Sequence, residues 1–173
     1  MSLKIVLLGY MGSGKSVIAR KLSEKLDVKC LDLDEIVELN ENLSIESVFK
    51  NKGELYFRKL ENKFFTELMN ADEDFILSLG GGTPCYFDNH LLLKKEGVVA
   101  IYLKASIETL STRLILDKEA RPLISNLSTI EIKEFIAKHL FERSFYYHQA
   151  PNVIVVDSKS ISQIVEEISS ILA

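Results

Sequence analysis

The sequence has no long apolar run and only two cysteines. A membrane-spanning helix needs roughly eighteen or more consecutive apolar residues, and no stretch is of that kind, so we expect no transmembrane helix. A strand is predicted from residue 4, which leaves no room for a signal peptide before it. Cys30 and Cys85 lack the paired spacing of a zinc site or a disulfide framework. We expect both to act as small hydrophobic residues in a cytoplasmic protein.

The sequence also has little net charge and few arginines. The formal charge of −4 argues against a nucleic-acid surface. Five of the 21 basic residues are arginines: Arg20, Arg58, Arg113, Arg121 and Arg143. Arginine offers a rigid fork for bidentate contact with a carboxylate or a phosphate, which lysine cannot supply. Each arginine is therefore a candidate anion-binding residue, although a general bias of composition would also explain their small number.

The order of apolar and amphipathic segments predicts the fold class. With 173 residues, 47% of them hydrophobic, the chain fits one domain with a substantial core. Strand patterns alternate with helix patterns, which is typical of a parallel sheet with helices on both faces. The predicted strands are 4–8, 28–32, 75–79, 98–103 and 152–156. The predicted helices are 15–27, 34–41, 44–51, 54–70, 88–95, 106–116, 128–147 and one from 160. The polar segment 117–126 is expected to be mobile.

A complete phosphate-binding motif follows the first predicted strand. Residues 9–16 have the sequence Gly-Tyr-Met-Gly-Ser-Gly-Lys-Ser and lead into a helix, which is the structural context that the motif requires. Backbone N–H groups of such a loop, with the helix N-terminus, surround an anion. Lys15 can reach the outer phosphates, and the Ser16 hydroxyl can bind Mg²⁺. A chance match is the alternative, but the flanking strand and helix favour a nucleoside triphosphate site.

Three further features end predicted strands and are expected at the same edge of the sheet, because ligands bind beyond the carboxyl ends of parallel strands: Asp32 with Asp34, Gly80-Gly81-Gly82, and Asp157. Asp32 and Asp34 follow the second strand and suit phosphoryl transfer, or they simply mark an acidic helix start. Arg58 lies between Glu54 and Glu61 at helical spacing, which alone favours a solvated ion-pair ladder. Gly80-Gly81-Gly82 follows the third strand and allows a ligand to approach the backbone closely.

Taken together, these motifs resemble the shikimate kinase family from residue 4 to about 158. The shared set is Gly-x-Met-Gly-x-Gly-Lys-Ser, Asp-x-Asp, Gly-Glu-x-x-Phe-Arg-x-x-Glu, Gly-Gly-Gly, Arg-Pro-Leu and a late Arg-x-x-x-Tyr. The resemblance implies a doubly wound P-loop fold of the nucleoside-monophosphate-kinase type. It also implies transfer of the ATP γ-phosphate to the 3-hydroxyl of shikimate, with Mg²⁺. The domain would be single and monomeric, with shikimate-binding helices at about 34–61 and a lid at about 114–126.

The resemblance also implies roles for individual residues. Asp34 would be the base, with Lys15 and Arg121 beside the transferring phosphate. The nucleotide would contact Gly12, Ser13, Gly14, Lys15, Ser16, Val17, Arg113, Arg121 and Asp157. Shikimate would contact Asp34, Phe49, Phe57, Arg58, Gly80, Gly81, Gly82 and Arg143. Ser16 and Asp32 would hold the metal.

The chain departs from the family pattern near its late arginine. The family commonly has a proline two residues after this arginine, where this chain has Phe145. His90, His139 and His148 match no catalytic position and are expected at the surface or between helices. Two alternatives stay open: another small-molecule P-loop kinase of the gluconate or nucleotide type, and a non-catalytic nucleotide-binding module. Neither is expected to carry the full acceptor-site motif.

Overall fold

Five parallel strands form one sheet in the order β2-β3-β1-β4-β5. The chain is described here by a computed structural model that covers residues 2–173. The strands are β1 Lys4–Leu8, β2 Cys30–Asp32, β3 Phe75–Ser78, β4 Val98–Lys104 and β5 Asn152–Val155. In register, Leu7 of β1 pairs with Ser78 of β3, and Leu8 pairs with Tyr102 of β4. The phosphate-loop motif and the triple glycine therefore leave the sheet at the same edge, as the sequence predicted.

Within the described residues, eight α-helices accompany the sheet. They are α1 Lys15–Leu26, α2 Leu33–Glu41, α3 Ile45–Lys52, α4 Glu54–Asn70, α5 Asn89–Leu92, α6 Ile107–Leu116, α7 Thr129–Tyr147 and α8 Ile161–Leu172. α1 packs against β3 and α8, whereas α6 packs against α7. Each predicted helix is present, and most ends agree within one residue. Within residues 2–173, none is long and apolar enough to cross a bilayer.

Several helices begin at a serine whose side chain caps the first turn. Ser44, Ser106, Ser128 and Ser160 each accept a hydrogen bond from a backbone N–H three residues later. At Ser128 and Ser160 the third helical residue, Glu or Gln, bonds back to the cap and completes a capping box. Such caps satisfy N–H groups that have no partner inside the helix, typically contributing about 1 kcal/mol each.

Two apolar clusters hold the elements together. The larger cluster contains Ile5, Val6, Leu7 and Leu8 of β1, which is buried on both faces as expected for a central parallel strand. The smaller cluster consists of Val37 of α2, Val48 of α3 and Phe57 of α4. This second cluster fixes the three helices that follow β2 as one unit beside the sheet. The unit coincides with the segment 34–61 that the resemblance assigned to acceptor binding.

The segment 117–126 is more structured than its polar composition suggested. A single 3₁₀ turn covers Lys118–Ala120, and Ile124 is completely buried in the larger cluster. The ammonium of Lys118 donates to the Leu127 carbonyl at 3.0 Å. The segment is therefore anchored at its middle by an apolar side chain, while its mobility stays a prediction.

Truncating the central strand should destabilise the whole domain. For Leu7→Ala we expect the free energy of unfolding to fall by about 2–5 kcal/mol, because a completely buried side chain is replaced by a cavity. Urea denaturation measures this loss. Leu116→Ala is the matched control, since Leu116 is 86% exposed and should change stability by less than about 0.5 kcal/mol. Equal effects of the two changes would contradict the assignment of the core.

Candidate active site

The phosphate loop connects β1 to α1 and surrounds its own lysine. Gly14 precedes the helix with a φ of 98°, in the left-handed region that favours glycine. The Lys15 ammonium donates to the carbonyls of Gly9 at 2.8 Å and Tyr10 at 3.0 Å. Burial lowers the pKa of Lys15 to about 8, against the opposing charges of Asp34 and Asp32. A partly desolvated cation of this kind is suited to bind phosphate oxygens.

A cavity of about 570 Å³ opens over this loop. Its lining includes every loop residue predicted to contact a nucleotide, together with predicted carboxylates and arginines: Gly12, Ser13, Gly14, Lys15, Ser16, Val17, Asp32, Asp34, Arg113 and Arg121. A volume of this size falls in the range of small-molecule sites. The sequence motifs therefore converge on one cleft.

The two arginines of this cleft are held by different contacts. Arg113 on α6 donates from Nη1 to the Gly12 carbonyl at 2.9 Å, which attaches α6 to the phosphate loop. The Nε of Arg121 lies 3.3 Å from a carboxylate oxygen of Asp117. Both guanidinium groups thus border the cavity from the side of α6 and the segment after it. Their positions suit contact with a polyanion in the cleft.

Asp157 occupies a different position. One of its carboxylate oxygens accepts from the backbone N–H of Ser106 at 3.1 Å and from the Ser106 hydroxyl at 3.0 Å. A hydrogen bond from the Thr109 side chain, together with these bonds from Ser106, holds the pKa of Asp157 below its usual range. The carboxylate therefore ties the loop after β5 to the start of α6, while Lys159, Ile161 and Ile164 line the cavity nearby. Contact of Asp157 with a nucleotide stays a prediction.

Asp32 both caps a helix and lies beside the phosphate loop, the two roles that its sequence position allowed. Its Oδ1 caps α2 by accepting from the N–H groups of Asp34 at 2.9 Å and Glu35 at 3.3 Å. Its Oδ2 lies 3.4 Å from the Ser16 hydroxyl. One hydroxyl and one carboxylate at the edge of a phosphate site suit Mg²⁺, which takes few protein ligands and completes its shell with water and phosphate oxygens. The donor set present therefore fits this metal.

Asp34 lies in the first turn of α2, half-buried between charged neighbours. Burial and the negative charges of Asp32 and Glu61 raise the pKa of Asp34 to about 6, and Lys15 opposes this shift. A carboxyl group with a pKa this close to neutrality is a more effective proton acceptor than an ordinary aspartate. Asp34 is therefore placed and tuned as a general base would be.

A second cavity of about 170 Å³ adjoins the first. It is lined by every residue predicted to bind the acceptor: Asp34, Phe49, Phe57, Arg58, Gly80, Gly81, Gly82 and Arg143. Met11, Asp34, Gly80 and Gly81 line both cavities. The Asp34 carboxyl group thus lies in the wall that the two cavities share.

Arg58 is a buried cation, not part of a solvated ladder. Its Nη1 donates to Glu61 at 2.9 Å, and Glu61 is 0% exposed. The other Glu61 oxygen accepts from the Thr83 hydroxyl at 2.6 Å. The ladder interpretation fits only Glu54, which is 3.6 Å from the Arg58 Nε and exposed. Helical spacing predicted the pairing correctly, but it carried no information about burial.

The triple glycine forms a strip against which the charged groups pack. A methyl group at Gly82 would lie 2.6 Å from the Arg58 Nη2, and one at Gly81 would lie 3.2 Å from the Arg143 Nη1. One at Gly80 would lie 3.0 Å from carboxylate oxygens of Asp34 and Glu61. Contacts below 3.0 Å do not occur with real side chains, so Gly82 in particular has no room for one.

Arg143 is held more loosely than Arg58. Its Nη1 donates to the Tyr147 hydroxyl at 3.5 Å, and its guanidinium carbon lies 5.6 Å from the centre of the Tyr10 ring. The Tyr147 hydroxyl in turn donates to the Gly81 carbonyl at 2.6 Å. At the family's proline position, α7 continues without a break, and the largely exposed Phe145 ring packs near His90. Phe145 therefore does not line the cavity beside Arg143.

Seven residues that line or support the second cavity were not assigned to it from the sequence: Tyr10, Met11, Ile45, Glu61, Thr83, Leu123 and His139. His139 was expected at the surface or between helices, yet its Nδ1 is 2.8 Å from the Tyr10 hydroxyl, and it lines the cavity. Its position four residues before Arg143 places the two on one face of α7, and this spacing was the available signal. Tyr10 gave no such signal, because the phosphate-loop motif leaves its position unspecified.

Comparison with known proteins gives the family of this chain. The family model described as "Shikimate kinase" matches residues 11–173. The chain belongs to the shikimate kinase family. A shikimate kinase of Flavobacterium johnsoniae is 55% identical over 98% of this chain and 99% of its own length. One from Sulfurihydrogenibium is 40% identical over 95% of this chain and 94% of its own.

Solved structures agree with this assignment. A shikimate kinase of Bacteroides thetaiotaomicron superposes with a TM-score of 0.90 at 29% identity, covering 98% of both chains. A shikimate kinase of Acinetobacter baumannii, solved in complex with shikimate, gives 0.86 at 26% identity over 99% of this chain and 93% of its own. A deoxyadenosine kinase at 20% identity gives 0.63, which shows the shared fold alone. The predicted fold class of this chain, a P-loop parallel sheet of the nucleoside-monophosphate-kinase type, is confirmed.

Adding one methyl group at Gly82 should displace the Arg58 guanidinium. For Gly82→Ala we expect the KM for the acceptor to rise about tenfold or more, the usual effect of losing a charge-assisted hydrogen bond, with KM for ATP little changed. The backbone at Gly82 has a φ of −93°, so alanine adds no backbone strain there. Steady-state kinetics with each substrate varied separately measures the effect. An unchanged acceptor KM would contradict the close packing of Arg58 on the strip.

Proposed function

We propose that this chain transfers the γ-phosphate of ATP to the 3-hydroxyl of shikimate, giving shikimate 3-phosphate and ADP. The observation that carries the proposal is the shared wall between the two cavities. The cavity over the phosphate loop and the cavity lined by Arg58 and Arg143 meet at Asp34. A donor phosphate and an acceptor hydroxyl held in adjoining cavities are positioned for direct transfer. Positioning of this kind supplies much of the rate acceleration in phosphoryl transfer.

The acceptor cavity suits a small cyclic carboxylic acid. Arg58 and Arg143 supply two guanidinium groups for its carboxylate. The rings of Phe49 and Phe57 pack together at 4.7 Å and form an apolar wall for the carbon ring. The strip of Gly80, Gly81 and Gly82 contacts the ring through backbone atoms, and Asp34 contacts its hydroxyl groups.

The larger cavity holds the nucleotide. Backbone N–H groups of Gly12, Ser13, Gly14, Lys15, Ser16 and Val17 surround the phosphates, with the positive end of the α1 dipole behind them. Arg113 and Arg121 contact the nucleotide from the opposite side. Asp157 borders the adenine through its loop. Ser16 and Asp32 hold Mg²⁺, which when bound neutralises charge on the phosphate oxygens.

Asp34 acts on the acceptor hydroxyl. The hydroxyl oxygen forms a bond to the γ-phosphorus as the bond to the ADP oxygen breaks, and Asp34 takes the hydroxyl proton. Lys15 and Arg121 stabilise the negative charge of the transferring group. Residues 114–126 close over the nucleotide and exclude water, which would otherwise compete with the acceptor. We further propose that the protein acts as a cytoplasmic monomer of one domain, without a nucleic-acid partner.

Two other functions fit the site less well. A gluconate or nucleotide kinase shares the phosphate loop but has no use for the glycine strip together with Arg58 and Glu61. A non-catalytic binding module has no use for an aspartate whose pKa is raised toward neutrality between the two cavities. A coupled assay that compares shikimate, gluconate and nucleoside monophosphates as acceptors separates these functions. Absence of turnover with shikimate would contradict the proposal.

Removing Arg58 tests the acceptor site. For Arg58→Ala we expect the KM for shikimate to rise about ten- to a hundredfold, because a charge-assisted hydrogen bond is lost, while KM for ATP changes little. Arg20→Ala is the matched control, since Arg20 is an exposed arginine on α1 and lines neither cavity. Steady-state kinetics provides both constants. An unchanged shikimate KM in Arg58→Ala would remove Arg58 from the acceptor site.

The pH dependence tests Asp34 and Lys15. Asp34 accepts a proton only when ionised, so kcat/KM should fall about tenfold per unit as pH drops below about 6. Lys15 binds phosphate only when charged, so kcat/KM should also fall as pH rises above about 8. Lys15→Arg should shift the alkaline limb upward, because arginine keeps its charge.

Asp34→Asn should lower kcat steeply above about pH 6, where wild-type Asp34 is ionised, while the fold persists. The folded pKa of Asp34 is higher than that of an unfolded aspartate, about 3.9, so its protonated form favours the folded state. The free energy of unfolding should therefore decrease as pH rises from about 4 to about 6, and Asp34→Asn should flatten this decrease. Near-normal turnover of Asp34→Asn would exclude Asp34 as the base.

A further inference from the structure

Tyr10 of the phosphate loop contacts both cavities through different atoms. Its backbone carbonyl accepts from the Lys15 ammonium at 3.0 Å, on the side of the nucleotide. Its ring lies beneath the Arg143 guanidinium, 5.6 Å from ring centre to guanidinium carbon, on the side of the acceptor. Its hydroxyl lies 2.8 Å from the Nδ1 of His139 on α7. The side chain is nearly inaccessible to solvent, so these contacts determine its orientation.

His139 is a neutral partner for this hydroxyl. Burial and the nearby charge of Arg143 lower the pKa of His139 below its usual value, while burial raises the pKa of Tyr10 to about 12. The imidazole also packs edge-on against Phe135, with ring centres 4.3 Å apart. Both rings are therefore fixed without a net charge of their own. His139 and Arg143 are one helical turn apart on α7. The residue that contacts the Tyr10 hydroxyl and the residue that lies over the Tyr10 ring therefore belong to one rigid helix.

Arg143 depends on this support more than Arg58 does. Arg58 donates to a completely buried carboxylate at 2.9 Å. The hydrogen bond of Arg143 to Tyr147, at 3.5 Å, is at the limit of a useful contact. No carboxylate pairs with Arg143 among residues 2–173. Its remaining support is the face of the Tyr10 ring, a cation–π contact that depends on how that ring is turned.

We propose that Tyr10 and His139 form a positioning pair for the acceptor site. Their hydrogen bond holds the Tyr10 ring under Arg143 and thereby fixes the guanidinium that binds the carboxylate of the acceptor. The pair touches neither reacting atom and acts through Arg143. This inference rests on the proposed function, because it gives Arg143 the acceptor carboxylate as its ligand.

The test removes the hydrogen bond from each side while keeping the rings. For Tyr10→Phe and His139→Phe we expect the KM for shikimate to rise about fivefold, the usual effect of losing one neutral hydrogen bond, with kcat and KM for ATP within about twofold of wild type. The double variant should be no worse than either single one, because both changes remove the same contact. In His139→Asn the amide oxygen takes the place of Nδ1, so this variant should have the shikimate KM of the wild type. In His139→Gln the amide takes the place of Nε2 instead, so its shikimate KM should be raised as in His139→Phe.

A neutral analogue separates positioning from general loosening of the site. The methyl ester of shikimate lacks the carboxylate charge, so its kcat/KM should be the same in wild type, Tyr10→Phe and His139→Phe. The preference for the acid over the ester should therefore fall about fivefold in these variants. Equal losses for acid and ester would show a merely structural role and overturn the proposal, as would an unchanged shikimate KM.

Controls on α7 keep this outcome distinct from other failures. Tyr146→Phe and His148→Phe make the same chemical changes outside the acceptor cavity and should leave all constants unchanged. Thermal unfolding checks that each variant is folded. If Tyr10→Phe or His139→Phe is unstable, the comparison of His139→Asn with His139→Gln decides the question alone. A wild-type protein inactive toward shikimate would instead refute the proposed function.

Discussion

The architecture of the site depends on the absence of side chains at three consecutive positions after β3. Gly80, Gly81 and Gly82 let Asp34, Arg143 and Arg58 pack directly on the backbone, at distances that a single methyl group would occupy. Two cations and two anions, including Glu61 of α4, are thereby brought to one short stretch of chain. The strip itself contributes no charged side chain, and all of these charges come from neighbouring helices. Its three carbonyl groups accept hydrogen bonds within the protein, from the backbone N–H groups of Thr83 and Cys85 and, at Gly81, from the Tyr147 hydroxyl.

The charges around this strip are arranged so that they are only partly neutralised. Glu61 is bonded to both Arg58 and Thr83, which stabilises a buried carboxylate that would otherwise be costly. The same negative charge contributes to the raised pKa of Asp34. Lys15, on the far side of Asp34, is desolvated and bonded only to carbonyls of its own loop. A triphosphate would supply an anion for Lys15, and a carboxylate ligand would supply one for Arg143, which has no carboxylate partner among residues 2–173.

The strands and the phosphate loop were predictable because these features depend on local pattern, whereas roles such as those of Phe49 and Arg143 came from the resemblance to the family. Parallel strands, strand-end motifs and helix caps follow from residue type and spacing over a few positions. Burial does not: the spacing of Glu54, Arg58 and Glu61 is the same for a surface ladder and for the buried pair that the structure contains. The double use of Asp32, as helix cap and as neighbour of Ser16, also combines a local and a tertiary contact. The Tyr10–His139 bond joins residues 129 positions apart, and a single sequence carries no pattern for such a pair.

Arg58 and Arg143, the two arginines proposed to bind the acceptor, are restrained in different ways, and this difference decides which of them the proposed closure of residues 114–126 can affect. Arg58 is fixed by a buried carboxylate on its own helix, so its position is set once the domain has folded. Arg143 belongs to the helix that follows the segment 117–126, and aromatic groups rather than an ion pair restrain it. Movement of that segment over the nucleotide would be transmitted to α7 at its N-terminus, and so toward Arg143 and not toward Arg58. In the proposed closure, Arg58 would therefore keep its position, and the contact of Arg143 with the Tyr10 ring is the one on which the movement would act.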